Sequence, residues 1–171
     1  MTRARAILLL ASITACSGLG AATPNQPGTD GPWSEAVNGL AVSLSAAVRP
    51  DGQPKLRIRL KNVGDEPFDL VEFGPLFLEV QDAARNWKSY QHPRWRADKV
   101  KTAHTFEPAH DESESESLSA FASLPPGTYR VRVTLTLDAG MLVKYESKRL
   151  WTGVVRSNTV VVTVPPSPRG Q

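Results

Sequence analysis

Chemistry in this chain of 171 residues would have to come from a small set of side chains. His92, His104 and His110 stand near Glu107, Asp111 and Glu112, and imidazole with carboxylate is a donor set that zinc accepts. Their spacing matches neither the HExxH pair nor another paired-ligand pattern, so they read as solvated loop histidines and no metal is expected. The run Asp111-Glu112-Ser113-Glu114-Ser115-Glu116 carries enough carboxylate for Ca²⁺. A calcium loop, however, alternates its ligands around a glycine at the sharp turn, and this run has none. It reads as an exposed acidic segment whose like charges discourage edge-to-edge association. Serines are many, yet no GxSxG elbow, cysteine nucleophile or phosphate-binding glycine loop is present. The expectation is a protein that is not an enzyme and uses no cofactor.

Recognition is better served than catalysis. Trp87, Tyr90, Arg94, Trp95 and Arg96 follow one another in a stretch without clear alternation, and a guanidinium over an indole adds cation–π attraction to a large contact area. They predict a surface for a protein or cell-wall partner. The competing reading has Trp87 and Trp95 plugging the ends of the domain while the arginines stay wet, and Trp151 is expected in the core.

The chain's single cysteine, Cys16, supplies a different chemistry. Arg3 and Arg5 precede an apolar run from Ala6 to Leu10 and on through Ile13, which is the anatomy of a secretory signal and too short for a membrane span. Ile13-Thr14-Ala15-Cys16 resembles the bacterial lipobox, which implies that Cys16 is lipidated and becomes the first mature residue. Several acyl chains would anchor it to a membrane stably. The alternative is ordinary cleavage near Gly20-Ala21-Ala22. The expected address is the cell envelope, facing the periplasm from the outer membrane in a diderm bacterium.

These groups need a scaffold. Residues 1–15 are expected as a lipoprotein signal peptide, 16–32 as a flexible tether of Gly, Pro, Thr and Ala, 33–164 as one folded domain, and 165–171 as a disordered tail. Twenty basic and 17 acidic side chains give +3, and removing Arg3 and Arg5 leaves 18 against 17, or +1. That balance gives no reason to expect nucleic acid. With Cys16 consumed by lipid no disulfide can form, so the core alone holds the domain.

Within the domain the period is two. Leu124-Pro125-Pro126-Gly127 turns into a strand whose Tyr129, Val131, Val133, Leu135 and Leu137 share one face while Arg130, Arg132, Thr134 and Thr136 share the solvated one. Leu40, Val42, Leu44 and Ala46 alternate likewise. Pro50-Asp51-Gly52 then turns the chain into Leu56, Ile58 and Leu60, so the pair reads as a hairpin. Shorter strands are expected around Phe68, Leu70 and Phe73, around Leu76–Val80, near Val100–Phe106, from Leu118 to Phe121, and over Thr159–Val164. Trp87–His110 otherwise reads as a long loop, and Trp151–Arg156 as a small apolar turn. Six to eight short strands without helical period give an all-β class: a single antiparallel β-sandwich.

Leu124–Val133 is similar to the L-x-P-G-x-Y-x-V-x-V pattern of bacterial immunoglobulin-like and fibronectin-type-III-like domains. That resemblance implies an Ig-like sandwich in which the hydroxyl of Tyr129 ties a structural corner. Leu56–Pro67, LRIRLKNVGDEP, resembles the second strand and following turn of exported Ig-like modules. Trp151-Thr152-Gly153 with Ser157-Asn158 resembles the ending of bacterial lipoproteins, and more distantly that of a bacterial intracellular proteinase-inhibitor family. The functional expectation is a non-catalytic, lipid-anchored binding or assembly module of the cell envelope. The alternative is a proteinase-inhibitor-like sandwich presenting a loop to a protease.

Overall fold

The computed structural model describes residues 30–71, 76–91, 103–141 and 147–166. The expected leader, Cys16, nearly all of the tether, Phe73, His92, Arg94, Trp95, Arg96, Val100 and residues 167–171 lie outside them. The described elements are β1 (Leu40–Val48), β2 (Pro54–Asn62), β3 (Phe68–Val71), β4 (Leu76–Gln81), β5 (Trp87–Gln91), β6 (Ala103–Phe106), β7 (Asp111–Ser117), α1 (Leu118–Phe121), β8 (Gly127–Leu137), β9 (Gly153–Arg156) and β10 (Val160–Val164). The strands pair antiparallel as β1-β2-β7, as β10-β8-β4-β5 with β9 also on β8, and as β3-β6. The result is an all-β, sandwich-like fold. Among the described residues no helix is long and apolar enough to cross a membrane.

Alternation explains the core. Val42 stands opposite Leu60, Leu44 opposite Ile58 and Ala46 opposite Leu56, so the β1–β2 hairpin turns one apolar face inward. Leu78, Val80, Val131, Val133 and Leu135 supply the facing layer from β4 and β8. Each such side chain contributes about 1.5–3 kcal/mol when fully buried. Phe106 of β6 is wholly buried and closes the space against Phe68, with ring centroids 5.7 Å apart.

Several segments depart from expectation. Trp87–Gln91 forms an edge strand on β4 instead of opening a loop. Asp111–Ser117 is also a strand, and pairing with β2 sets Glu112, Glu114 and Glu116 opposite Leu60, Ile58 and Leu56. Three half-buried carboxylates therefore share a sheet face with the core, and inward-pointing charge is a known device against strand addition at an edge. Leu118–Phe121 is one helical turn that buries Leu118 and Phe121, where a strand was expected. Gly153–Arg156 is a strand on β8, where a turn was expected.

That last strand makes possible a bulge with consequences for both layers. β9 and β10 follow each other along one edge of β8, with Arg156 opposite Thr134 and Val160 opposite Val131. Three residues, Ser157-Asn158-Thr159, thus span the length of two on β8, which is a β-bulge. The extra residue lets Val155 and Val160, five positions apart, both face the core. Ser157 seals the bulge, since its N–H donates to Val133 O at 2.9 Å and the Val133 N–H donates to Ser157 Oγ at 3.0 Å.

Candidate functional site

Trp87 opens β5, and the β5–β4–β8 register places it on the outer face of the larger sheet. Gln81 stands opposite Trp87 and Arg130, while Glu79 stands opposite Ser89 and Arg132. Arg132 reaches diagonally, so that its guanidinium carbon lies 4.0 Å from the Trp87 ring centroid and its Nε lies 2.5 Å from Glu79 Oε2. Arg156 Nε, from β9, is 4.0 Å from the same oxygen. Glu79 keeps 12% of its side chain exposed, against 24% for Arg132 and 52% for Arg156. The guanidinium beside it gives this little-exposed carboxylate a charge-assisted partner in place of water. Arg132 is therefore not the solvated strand charge that alternation implies; it is fixed between a carboxylate and an indole, a contact worth about 0.5–2 kcal/mol. The surface presents an aromatic edge and two cations, brought together by β5, β8 and β9 around the Glu79 carboxylate of β4.

Tyr90 does not join it. Side chains alternate across a strand, so Tyr90 points to the other side of β5, stands opposite Leu78 and packs against the core. The pleat thus splits the expected cluster. Trp87 faces outward and Tyr90 inward, while Arg94, Trp95 and Arg96 lie outside the described residues. Glu79 and Arg156, which sequence reasoning left aside, are the residues that join Trp87 and Arg132. The signal for Glu79 was a lone charge inside the apolar run Leu76–Val80.

The other candidate residues have structural neighbours. The Tyr129 hydroxyl donates to Pro125 O at 2.8 Å, tying the start of β8 to the turn before it. Trp151 is 2% exposed, and its indole N–H donates to Val37 O at 2.9 Å. His104 lies in β6, and His110 follows it in the turn before β7. His110 Nε2 is hydrogen-bonded to Glu112 Oε1 at 3.1 Å. His104 Nε2 stands equally near that oxygen but without hydrogen-bond alignment, and it is buried without a partner. The Phe106 ring packs edge-on against both imidazoles. Among the described residues no group of three or more His, Cys, Asp or Glu is arranged to hold a metal ion. His104, Glu112 and Glu114 border an apolar cleft of about 70 Å³ lined by Ile58, Leu60, Leu70, Val71, Leu76 and Leu135.

Asp69 gathers three side chains. It accepts from Ser147 Oγ at 2.6 Å and Thr105 Oγ1 at 2.9 Å, and Arg149 lies 3.6 Å away. The Ser147 hydrogen bond is the main reason that its pKa falls below the usual carboxylate value, with Thr105 and Arg149 adding to it against the cost of burial. Its backbone completes the junction, because Asp69 N–H donates to Arg149 O and Trp151 N–H donates to Asp69 O, both at 2.8 Å. The Ser147 hydroxyl thus ties the segment after residue 146 to β3 through the Asp69 carboxylate.

No protein-family model matches this chain, and no curated protein does.

Proposed function

We propose that the chain is an exported, non-catalytic binding or assembly module of the cell envelope, with an Ig-like sandwich held to a membrane by lipid on Cys16. The observation that supports this best is the outer face of the larger sheet. There Arg132 lies 4.0 Å over Trp87 and is itself held by Glu79, so an aromatic and cationic surface is organised before any partner arrives. A non-catalytic role also suits Asp69, which serves a three-segment junction, and Glu79, which serves two arginines. The partner that suits the surface is a protein or cell-wall component with an apolar or planar group for Trp87 and an anion for Arg156.

The test is capture of envelope components by the full chain against Trp87→Ala and Arg156→Ala. Loss of the same captured species from both variants, with unchanged melting temperature, is expected; an identical set from both variants and the parent would overturn the surface assignment. Radiolabelled palmitate entering the parent but not Cys16→Ser tests the anchor, and protection of a substrate from subtilisin-type proteases at stoichiometric dose would favour the inhibitor reading instead.

A further inference from the structure

The outer face of the three-stranded sheet carries a pattern unrelated to Trp87. Its central strand, β2, presents Lys61, Arg59, Arg57 and Lys55 in file, one at every second residue, or about 6.8 Å apart. The flanking positions are small. Ser43 and Ser45 of β1 stand opposite Arg59 and Arg57, and Ser113, Ser115 and Ser117 of β7 stand opposite Arg59, Arg57 and Lys55. Long cations bordered by short hydroxyls make a ridge with a hollow beside it. One hollow of about 210 Å³ is lined by Ser45, Lys55, Arg57 and Ser115 with Asp30 on its wall, and another of about 650 Å³ continues past Lys55 to Arg49, Glu116 and Ser117.

The chain itself shows what the ridge accepts. Asp30 lays one carboxylate oxygen 3.0 Å from Arg57 Nη1 and the other 2.5 Å from Arg59 Nη1. Asp111 takes the remaining Arg59 donors, which with Asp30 hold that guanidinium firmly charged. Arg49 is paired with Asp51 at 3.3 Å, and Lys61 lies 6.0 Å from the Trp33 ring centroid. Four cations against Asp30 and Asp111 leave the face at +2, with Lys55 and Lys61 at the two ends of the file.

We propose that this face binds a linear acidic polysaccharide, whose carboxylate groups meet Lys55, Arg57 and Lys61 while its hydroxyls meet Ser45, Ser113, Ser115 and Ser117; Ser43 is buried, with its hydroxyl on Gly31 O at 2.7 Å. Lys55 and Lys61, with Arg57 once Asp30 is displaced, offer positive charge along one line that an extended polyanion can follow, and Ser45, Ser115 and Ser117 in the hollows supply partners for sugar hydroxyls. Asp30 occupies two stations of the ridge, Arg57 and Arg59, as an internal competitor.

The test is retention of the full chain on immobilised polygalacturonate, with salt as eluent and neutral dextran as control. Lys55→Ser/Arg57→Ser/Lys61→Ser is expected to bind about tenfold more weakly with a shallower salt dependence, since charge contacts to a polyanion release counterions. Asp30→Asn is expected to bind more tightly, a change of opposite sign that general loss of structure cannot produce. The proposal is overturned if the parent leaves polygalacturonate and dextran at the same salt, if the triple variant with unchanged melting temperature is retained like the parent, if Asp30→Asn weakens retention, or if immobilised polyphosphate alone retains the chain.

Discussion

Asn158 holds Leu44 by both of its backbone groups: the Leu44 N–H donates to Asn158 Oδ1 at 2.8 Å, and Asn158 Nδ2 donates to Leu44 O at 2.9 Å. One side-chain amide thus acts as an extra rung on the edge of β1, offered from the bulge between β9 and β10. It ties the smaller sheet to the larger one. Asn158→Ala is expected to cost about 1–3 kcal/mol, because two partly buried backbone groups lose their partners together. Urea denaturation followed by tryptophan fluorescence reads the loss as a lower midpoint.

Asn62 is fully buried and does comparable work inside the domain. Its Nδ2 donates to Phe106 O at 2.9 Å and Glu66 O at 3.0 Å, and its Oδ1 accepts from the Gly64 N–H at 2.9 Å. Asn62→Ala is expected to destabilise by about 2–4 kcal/mol, since it opens a void and strands polar groups. Asn62→Asp keeps the shape and loses the donors, so it should be at least as damaging near neutral pH.

Thr134 and Glu79 make a pair of predictions of opposite sign on one sheet face. Thr134 is 5% exposed and its Oγ1 has no hydrogen-bond partner, so Thr134→Val should be neutral or stabilise by up to about 1 kcal/mol. Glu79→Ala leaves Arg132 half-buried without its carboxylate and should cost about 1–3 kcal/mol. Thermal melts of both variants against the parent give the two directions.

The lowered pKa of Asp69 sets an acid-side dependence. A carboxylate depressed on folding contributes stability that is complete above its ordinary value of 3.8 and is lost as pH falls through the lower folded value. Asp69→Asn should therefore lower the denaturation midpoint at pH 7 and show a shallower loss below about pH 4 than the parent does. Equal slopes for the two proteins in that acid range would contradict the assignment.

The partner strands that alternation announces were legible. β1, β2 and β8 bury one face and wet the other, so leucine and valine at every second position identified them, and Pro50-Asp51-Gly52 fixed the turn between the first two. β7 was not legible. Asp111–Ser117 has no apolar residue, and it is a strand because β2 offers it a ladder of backbone partners. β5 was obscured by Trp87 and Tyr90, whose likeness suggested one surface although a strand must send them to opposite faces.

The amino-acid sequence by itself determined the all-β class, the β1–β2 hairpin and the proline turn before β8, because these follow from local alternation and turn chemistry. Tertiary structure decided which side chains act together. Arg132 meets Glu79 and Trp87 only because β4 lies between β8 and β5, and Asn158 meets Leu44 only because one extra residue bulges beside β8. Asp30 meets Arg57 and Arg59 because Gly31 passes so close to β1 that a Cβ there would stand 2.2 Å from Leu44 O. Contacts across such distances in the chain depend on strand order and register, which sequence periodicity does not encode.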